Sequence, residues 1–189
     1  MKRILIVVLF ILAANLAKAQ FIKNKSINAQ IGYGVSLPFN SVADIGNDGI
    51  FLQGEYVLSV TSWFEIRPYA GFIFTKSNGK DLDDNPTFEK AESQAMLIGG
   101  KTRLRVPIRW VAPYVESGIG ASVGKFETFT AYANINKSGF IYHIPFSIGL
   151  ELGRHNDVDL SYSFYYQPTV EQLVGAFAIG ISIPLRKQA

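Results

Sequence analysis

The chain contains no cysteine. Disulfides, thiolate nucleophiles and cysteine-held metals are therefore excluded, and stability has to come from packing and the backbone hydrogen-bond ladder. Past the first twenty residues no uninterrupted apolar run approaches the ~18 residues a membrane helix needs. Yet hydrophobic residues make up 48% of the 189 positions and aromatics 13%. Strands that alternate in polarity can carry that much apolar surface without a long apolar run. No proline- or serine-rich linker divides the chain, which reads as one domain over residues 20–189.

Histidine is scarce as well, with two in all. His143 and Ser147 lie four positions apart on one strand-like segment, about 13 Å at the usual strand rise, so they make no nucleophile–base pair by themselves. His155 beside Asn156 and Asp157 reads as a polar turn. No cofactor site is expected.

The first nineteen residues differ from the rest. Lys2 and Arg3, the apolar stretch Ile4 to Leu12, and Ala17-Lys18-Ala19 form the pattern of a secretory signal peptide cut before Gln20. Its loss would remove three of the 18 basic residues and no acid, leaving basic residues equal in number to the 15 acidic ones. A neutral exported chain offers no basic surface for nucleic acid.

What the chain has in abundance is period-two alternation. From Leu173 to Leu185, the residues Leu173, Phe177, Ile179, Ile181, Ile183 and Leu185 alternate with Val174, Ala176, Ala178, Gly180 and Ser182. A strand sends successive side chains to opposite faces, so one face is large and apolar and the other small. The pattern recurs over Ser26–Pro38, Ile50–Val60, Trp63–Thr75, Ser93–Val106, Val111–Phe126, Gly139–Leu152 and Asp157–Tyr166. In these segments the face opposite the apolar one carries charge: Glu55, Glu65, Arg67, Lys101, Arg103, Arg105, Glu116, Glu151 and Asp159. A polar interior inside an apolar exterior defines an all-β, eight-stranded antiparallel up-and-down transmembrane β-barrel, with these nine residues as a lumen charge network. An eight-stranded barrel is just wide enough to be filled by its own side chains, so the network reads first as a plug.

The connections alternate in length. Phe39 to Gly49, Lys76 to Glu92 and Glu127 to Ser138 are long, while Thr61-Ser62, Pro107 to Trp110 and Gly153 to Asn156 are short. Long loops are expected outside and short turns in the periplasm. Trp63 and Trp110 at the short-turn end, and Phe72, Phe74, Phe140, Tyr142, Phe164 and Tyr166 at the other, form two expected interfacial girdles. Pro68 and Pro145 fall inside strands, where each removes a ladder donor, and bulges are expected there. In the second long loop, Asp81, Asp83, Asn85 and Glu92 have calcium-loop spacing, but Pro86 stands where such a loop needs glycine, and a solvated acidic loop is the competing reading.

These features together resemble the small eight-stranded outer-membrane barrels of Gram-negative bacteria, the group that includes OmpX and the transmembrane domain of OmpA. The resemblance covers the whole mature segment and rests on pattern. One departure is the ending Leu185-Arg186-Lys187-Gln188-Ala189, where such barrels finish on an aromatic residue. The expected function is a non-enzymatic barrel in contact with outer-membrane lipid, its outer loops serving envelope structure or binding extracellular or envelope proteins. Three alternatives stay open: a narrow porin-like channel, an outer-membrane lipid-modifying enzyme, and a soluble lipocalin-like binder with its apolar face inward.

Overall fold

The computed structural model describes residues 22–39 and 45–185. The signal segment 1–19 and part of the first long connection lie outside these residues. Eight strands follow in chain order: β1 (Asn24–Pro38), β2 (Asn47–Ser59), β3 (Phe64–Lys76), β4 (Lys90–Arg105), β5 (Trp110–Phe129), β6 (Asn134–Gly153), β7 (Val158–Gln167) and β8 (Gln172–Pro184). Each pairs antiparallel with the next, and β8 pairs with β1, closing an up-and-down barrel. A short 3₁₀ turn, Pro168–Val170, joins β7 to β8.

Closure imposes a stagger. Pairing runs from Asn24 through Ser59, Glu65, Arg103, Glu116, Ser147, Ser163 and Ala176 to Gly34, ten residues beyond its start on β1. A stagger of this size in an eight-stranded barrel tilts the strands by roughly 40° and leaves an interior of side-chain width.

The period-two pattern decides which face points where. Ile31, Ile50, Phe177, Ile179, Ile181 and Ile183 are all more than half exposed on the outside, whereas Arg67, Lys101 and Arg103 are at most 1% exposed within. In water this arrangement would expose the apolar surface and desolvate the charge, so the outer belt is a lipid-facing surface. Trp63 and Trp110 are exposed at the short-turn end, and Phe72, Phe74, Phe140, Tyr142 and Tyr166 at the other, with Phe164 half-buried. Among the described residues no helix is long and apolar enough to span a bilayer.

Two expectations are corrected. Residues 127–138 form no long loop. β5 and β6 each run for 20 residues and pair as far as Phe129↔Asn134, leaving only 130–133 as a turn. The Thr130 side-chain oxygen accepts the amides of Tyr132 and Ala133, and the Thr130 amide donates to the Ala133 carbonyl. Phe126, Thr128, Phe129 and Ile135 favour a pleated ribbon, which overrides the polarity that reads as a loop. The expected bulges are also absent. β2–β3 pairing lapses opposite Pro68 but resumes in unchanged register, from Glu55↔Tyr69 to Leu58↔Ile66. β5–β6 pairing lapses likewise beside Pro145, between Ser117↔Phe146 and Gly120↔His143. A proline loses one donor, whereas an extra residue would throw every later side chain onto the wrong face.

Candidate functional site

The structure places all nine candidate charges on the inner face. β2 supplies Glu55, β3 Glu65 and Arg67, β4 Lys101, Arg103 and Arg105, β5 Glu116, β6 Glu151 and β7 Asp159. All are buried except Arg105, whose side chain is partly exposed. The contacts form one network. Arg67 Nε donates to Glu55 at 2.6 Å and its Nη1 to Glu65 at 2.9 Å. Lys101 Nζ bridges Glu55 at 2.6 Å and Glu116 at 2.8 Å. Arg103 reaches Glu116 at 2.7 Å, Glu151 at 2.6 Å and Asp159 at 2.8 Å. Arg105 holds the other Glu151 oxygen at 2.5 Å.

Five carboxylates thus face four cations. Tyr114 eases the imbalance by donating its hydroxyl to Asp159, and the Arg103 guanidinium stacks 3.4 Å from the Tyr114 ring centroid. Gly149 makes room for that ring, because a Cβ there would lie 2.3 Å from Tyr114 Cζ. Desolvated charges are tolerated only when paired this closely.

Next to the charges, toward the long-loop end, comes a polar-aromatic layer that sequence reasoning missed. Gln53 donates to Glu55 and accepts the Tyr165 hydroxyl at 2.6 Å. His143 lies between Ser122 Oγ, 2.7 Å from Nδ1, and the Tyr69 hydroxyl, 2.5 Å from Nε2. Ser147 instead pairs with Ser163 at 2.8 Å. Gly120 lets the Tyr69–His143 pair approach the wall, since a Cβ there would lie 2.3 Å from the Tyr69 oxygen. Beyond this layer Phe51, Ile73, Leu97, Phe126, Ile141 and Val174 fill the interior, and Val170 of the 3₁₀ turn tucks in with them. Gln172 closes the mouth, its amide donating to the Glu127 carbonyl and Thr128 Oγ1, both at 2.8 Å. The inner face is therefore charged toward the short turns and apolar toward the long loops. The signal was present, since these large residues share the inner parity of their strands.

Below the charges, a cavity of about 710 Å³ opens at the short-turn end, with Glu65, Arg67, Arg105 and Glu151 among its walls. It is a blind vestibule, because the network closes its inner end.

The calcium-loop candidates do not assemble. Asp81 accepts the backbone amides of Asn85 at 2.8 Å and Asp83 at 2.9 Å, and the Asn85 side chain at 3.2 Å, which makes it the keystone of a turn. Those bonds, the Asn85 amide first, hold the Asp81 carboxyl below its ordinary range. Glu92 accepts from the Ser77 amide instead. Among the described residues no three histidine or acidic side chains cluster as a metal site.

A closed barrel of eight antiparallel strands, apolar outside and salt-bridged inside, defines a small transmembrane barrel of the outer-membrane type. No protein family's model matches the sequence, and no curated protein aligns with it significantly. Among solved structures, Neisserial surface protein A superposes with a TM-score of 0.58 at 10% identity, over 86% of this chain and 98% of that one. The N-terminal barrel domain of Pseudomonas aeruginosa OprF superposes with 0.51 at 11% identity, over 86% and 99%. At such identities the likeness is one of fold.

Proposed function

We propose that this protein is a non-enzymatic outer-membrane barrel, exported by residues 1–19, whose closed lumen is a structural plug and whose outward loops engage extracellular or envelope partners. The observation that carries this reading is that the interior is filled in three successive layers. Arg103, His143 and Phe126, one from each layer, are all 0% exposed. A solute would have to break the charge network and then displace the apolar layer. Catalysis is disfavoured on the same ground, because the Ser122–His143 contact is sealed from both lipid and water.

The exposed chemistry lies at the long-loop end. Phe88 is 93% and Tyr132 74% exposed, on segments strapped together by the Ala131 amide on Glu89 and the Lys90–Glu127 ion pair. Aromatic side chains held on a rigid support suit contact with another molecule.

The test has two arms. The purified protein in a planar bilayer should show no steady conductance. Replacing 77–89 and 130–133 by short glycine-containing turns should leave the barrel folded while abolishing its surface binding. Steady conductance, or full binding by the shortened protein, would overturn the reading.

A further inference from the structure

The short-turn end carries cations that no acid of the barrel neutralises. Lys23 before β1, Lys25 on β1, Arg109 between β4 and β5, and Arg154 between β6 and β7 are all exposed, and none has a carboxylate partner among the described residues. Two of them are neighbours. The β5–β6 ladder ends on the pair Trp110↔Gly153, and Arg109 and Arg154 occupy the next position on each strand. The acid of that turn, Asp157, lies instead against His155 at 3.7 Å. Like charges set opposite each other repel, and an anion held between two guanidiniums removes that repulsion.

Directly beneath this pair lies an apolar groove. Leu104 and Val106 form one side and Pro113 and Val115 the other, with Arg105 and Tyr114 between them, and together they enclose about 320 Å³. Leu104, Val106, Pro113 and Val115 are exposed on the outer face, so the groove opens toward lipid. Ile108 is exposed on the turn above it. Trp110 stands at φ +78°, a conformation so bulky a residue seldom adopts, with its indole 57% exposed beside the arginines.

We propose that this corner binds one anionic phospholipid of the periplasmic leaflet, its phosphate between Arg109 and Arg154 and an acyl chain in the groove between β4 and β5. The leaflet assignment rests on the reading that the short turns face the periplasm. The chemistry selects the occupant. A soluble anion would leave the groove and Ile108 uncovered, and a zwitterionic headgroup would bring its own ammonium to the two guanidiniums. A net-negative headgroup on a hydrocarbon chain matches both halves of the site.

The test reads tryptophan fluorescence, because both tryptophans of the chain lie at this end. Trp63→Phe leaves Trp110 as the single reporter. The full-length protein is placed in bilayers of phosphatidylcholine and phosphatidylglycerol, with a bromine quencher on the acyl chain of one lipid or the other. Trp110 should be quenched as if phosphatidylglycerol were favoured roughly tenfold, the scale of two cations acting on an anionic headgroup. Arg109→Gln with Arg154→Gln should reduce the preference to near one. Val115→Phe, which fills the groove and keeps both arginines, should weaken it severalfold. Lys23→Gln with Lys25→Gln, on the other side of the rim, should leave it unchanged. Folding of each variant is checked by heat-modifiable gel migration.

The proposal is overturned if Trp110 shows no preference, or if the arginine variant keeps it. Equal loss in the lysine variant would also overturn it, since the rim would then act as a diffuse field and not as a site. An unchanged preference in Val115→Phe would remove the groove from the site. If glycerol phosphate abolishes the preference where sodium chloride of equal ionic strength does not, the ligand is a free phosphate and the lipid assignment fails. All readouts come from a symmetric bilayer and are independent of which end of the barrel faces the periplasm and of conductance, so the lipid site and the sealed-barrel reading fail separately.

Discussion

Arg103→Met is the sharpest probe of the interior. Arg103 is fully buried and holds Glu116, Glu151 and Asp159 at once. After its removal Glu116 keeps Lys101 at 2.8 Å and Glu151 keeps Arg105 at 2.5 Å. Asp159 fares worst, left with the Tyr114 hydroxyl and Arg67 at 3.8 Å. Breaking a buried pair by deleting one partner costs about 3–5 kcal/mol, because the remaining charge stays buried. With a denaturant slope of about 2 kcal/mol/M, a loss of about 4 kcal/mol moves the urea midpoint down by roughly 2 M. Trp63 and Trp110 both face outward at the short-turn end, so their fluorescence in micelles reports loss of the barrel. Arg103→Met with Asp159→Asn should recover a large part of the loss, since a neutral amide replaces the stranded carboxylate. Exposed Lys125→Met is the control, expected within about 0.5 kcal/mol of the parent. The reasoning is refuted if Arg103→Met shifts the midpoint no more than that control, or if the double variant is no more stable than the single one.

Other perturbations separate face, packing and loop chemistry. Gly149→Val sets a side chain against Tyr114 Cζ at 2.3 Å and the Leu160 carbonyl at 2.4 Å, and should cost about 1–3 kcal/mol, seen as a lowered midpoint. Ile179→Arg places a cation on the lipid face at about 2–4 kcal/mol and should block stable insertion, whereas Ala178→Ser on the inner face should still fold. Heat-modifiable gel migration compares the two, and equal folding would contradict the lipid-facing assignment. The lowered Asp81 carboxyl stabilises its turn above the unfolded value of about pH 4 and loses that contribution as pH falls through the depressed one. The Asn85 amide resonance should therefore stay constant above about pH 4 and shift only below it.

The strands and their faces were legible in the sequence because both are local. Phe140 to Leu152 and Leu173 to Leu185 alternate without interruption, and period-two geometry turns alternation directly into inside and outside. The same parity sorted Glu55, Arg67, Lys101 and Arg103 to one face. Which acid meets which base was not local. Arg103 and Glu116 are cross-strand neighbours, a pairing open to sequence reasoning once strand order is assumed. Arg67 on β3 also comes within 3.5 Å of Glu116 on β5, past the intervening β4, and Tyr165 reaches Gln53 across 112 residues of chain. Those contacts exist only because closure with a ten-residue stagger brings distant strands to the same height around a narrow lumen. Closure also gathered Phe51, Ile73, Leu97, Phe126 and Ile141, each from a different strand, into one apolar layer. The ribbon that replaced the expected loop at 127–138 depends in the same way on cross-strand pairing, strapped to the neighbouring loop through Lys90 and Glu89. Periodicity settles the side of a sheet on which a residue lies, and only the closed tertiary structure settles what it meets there.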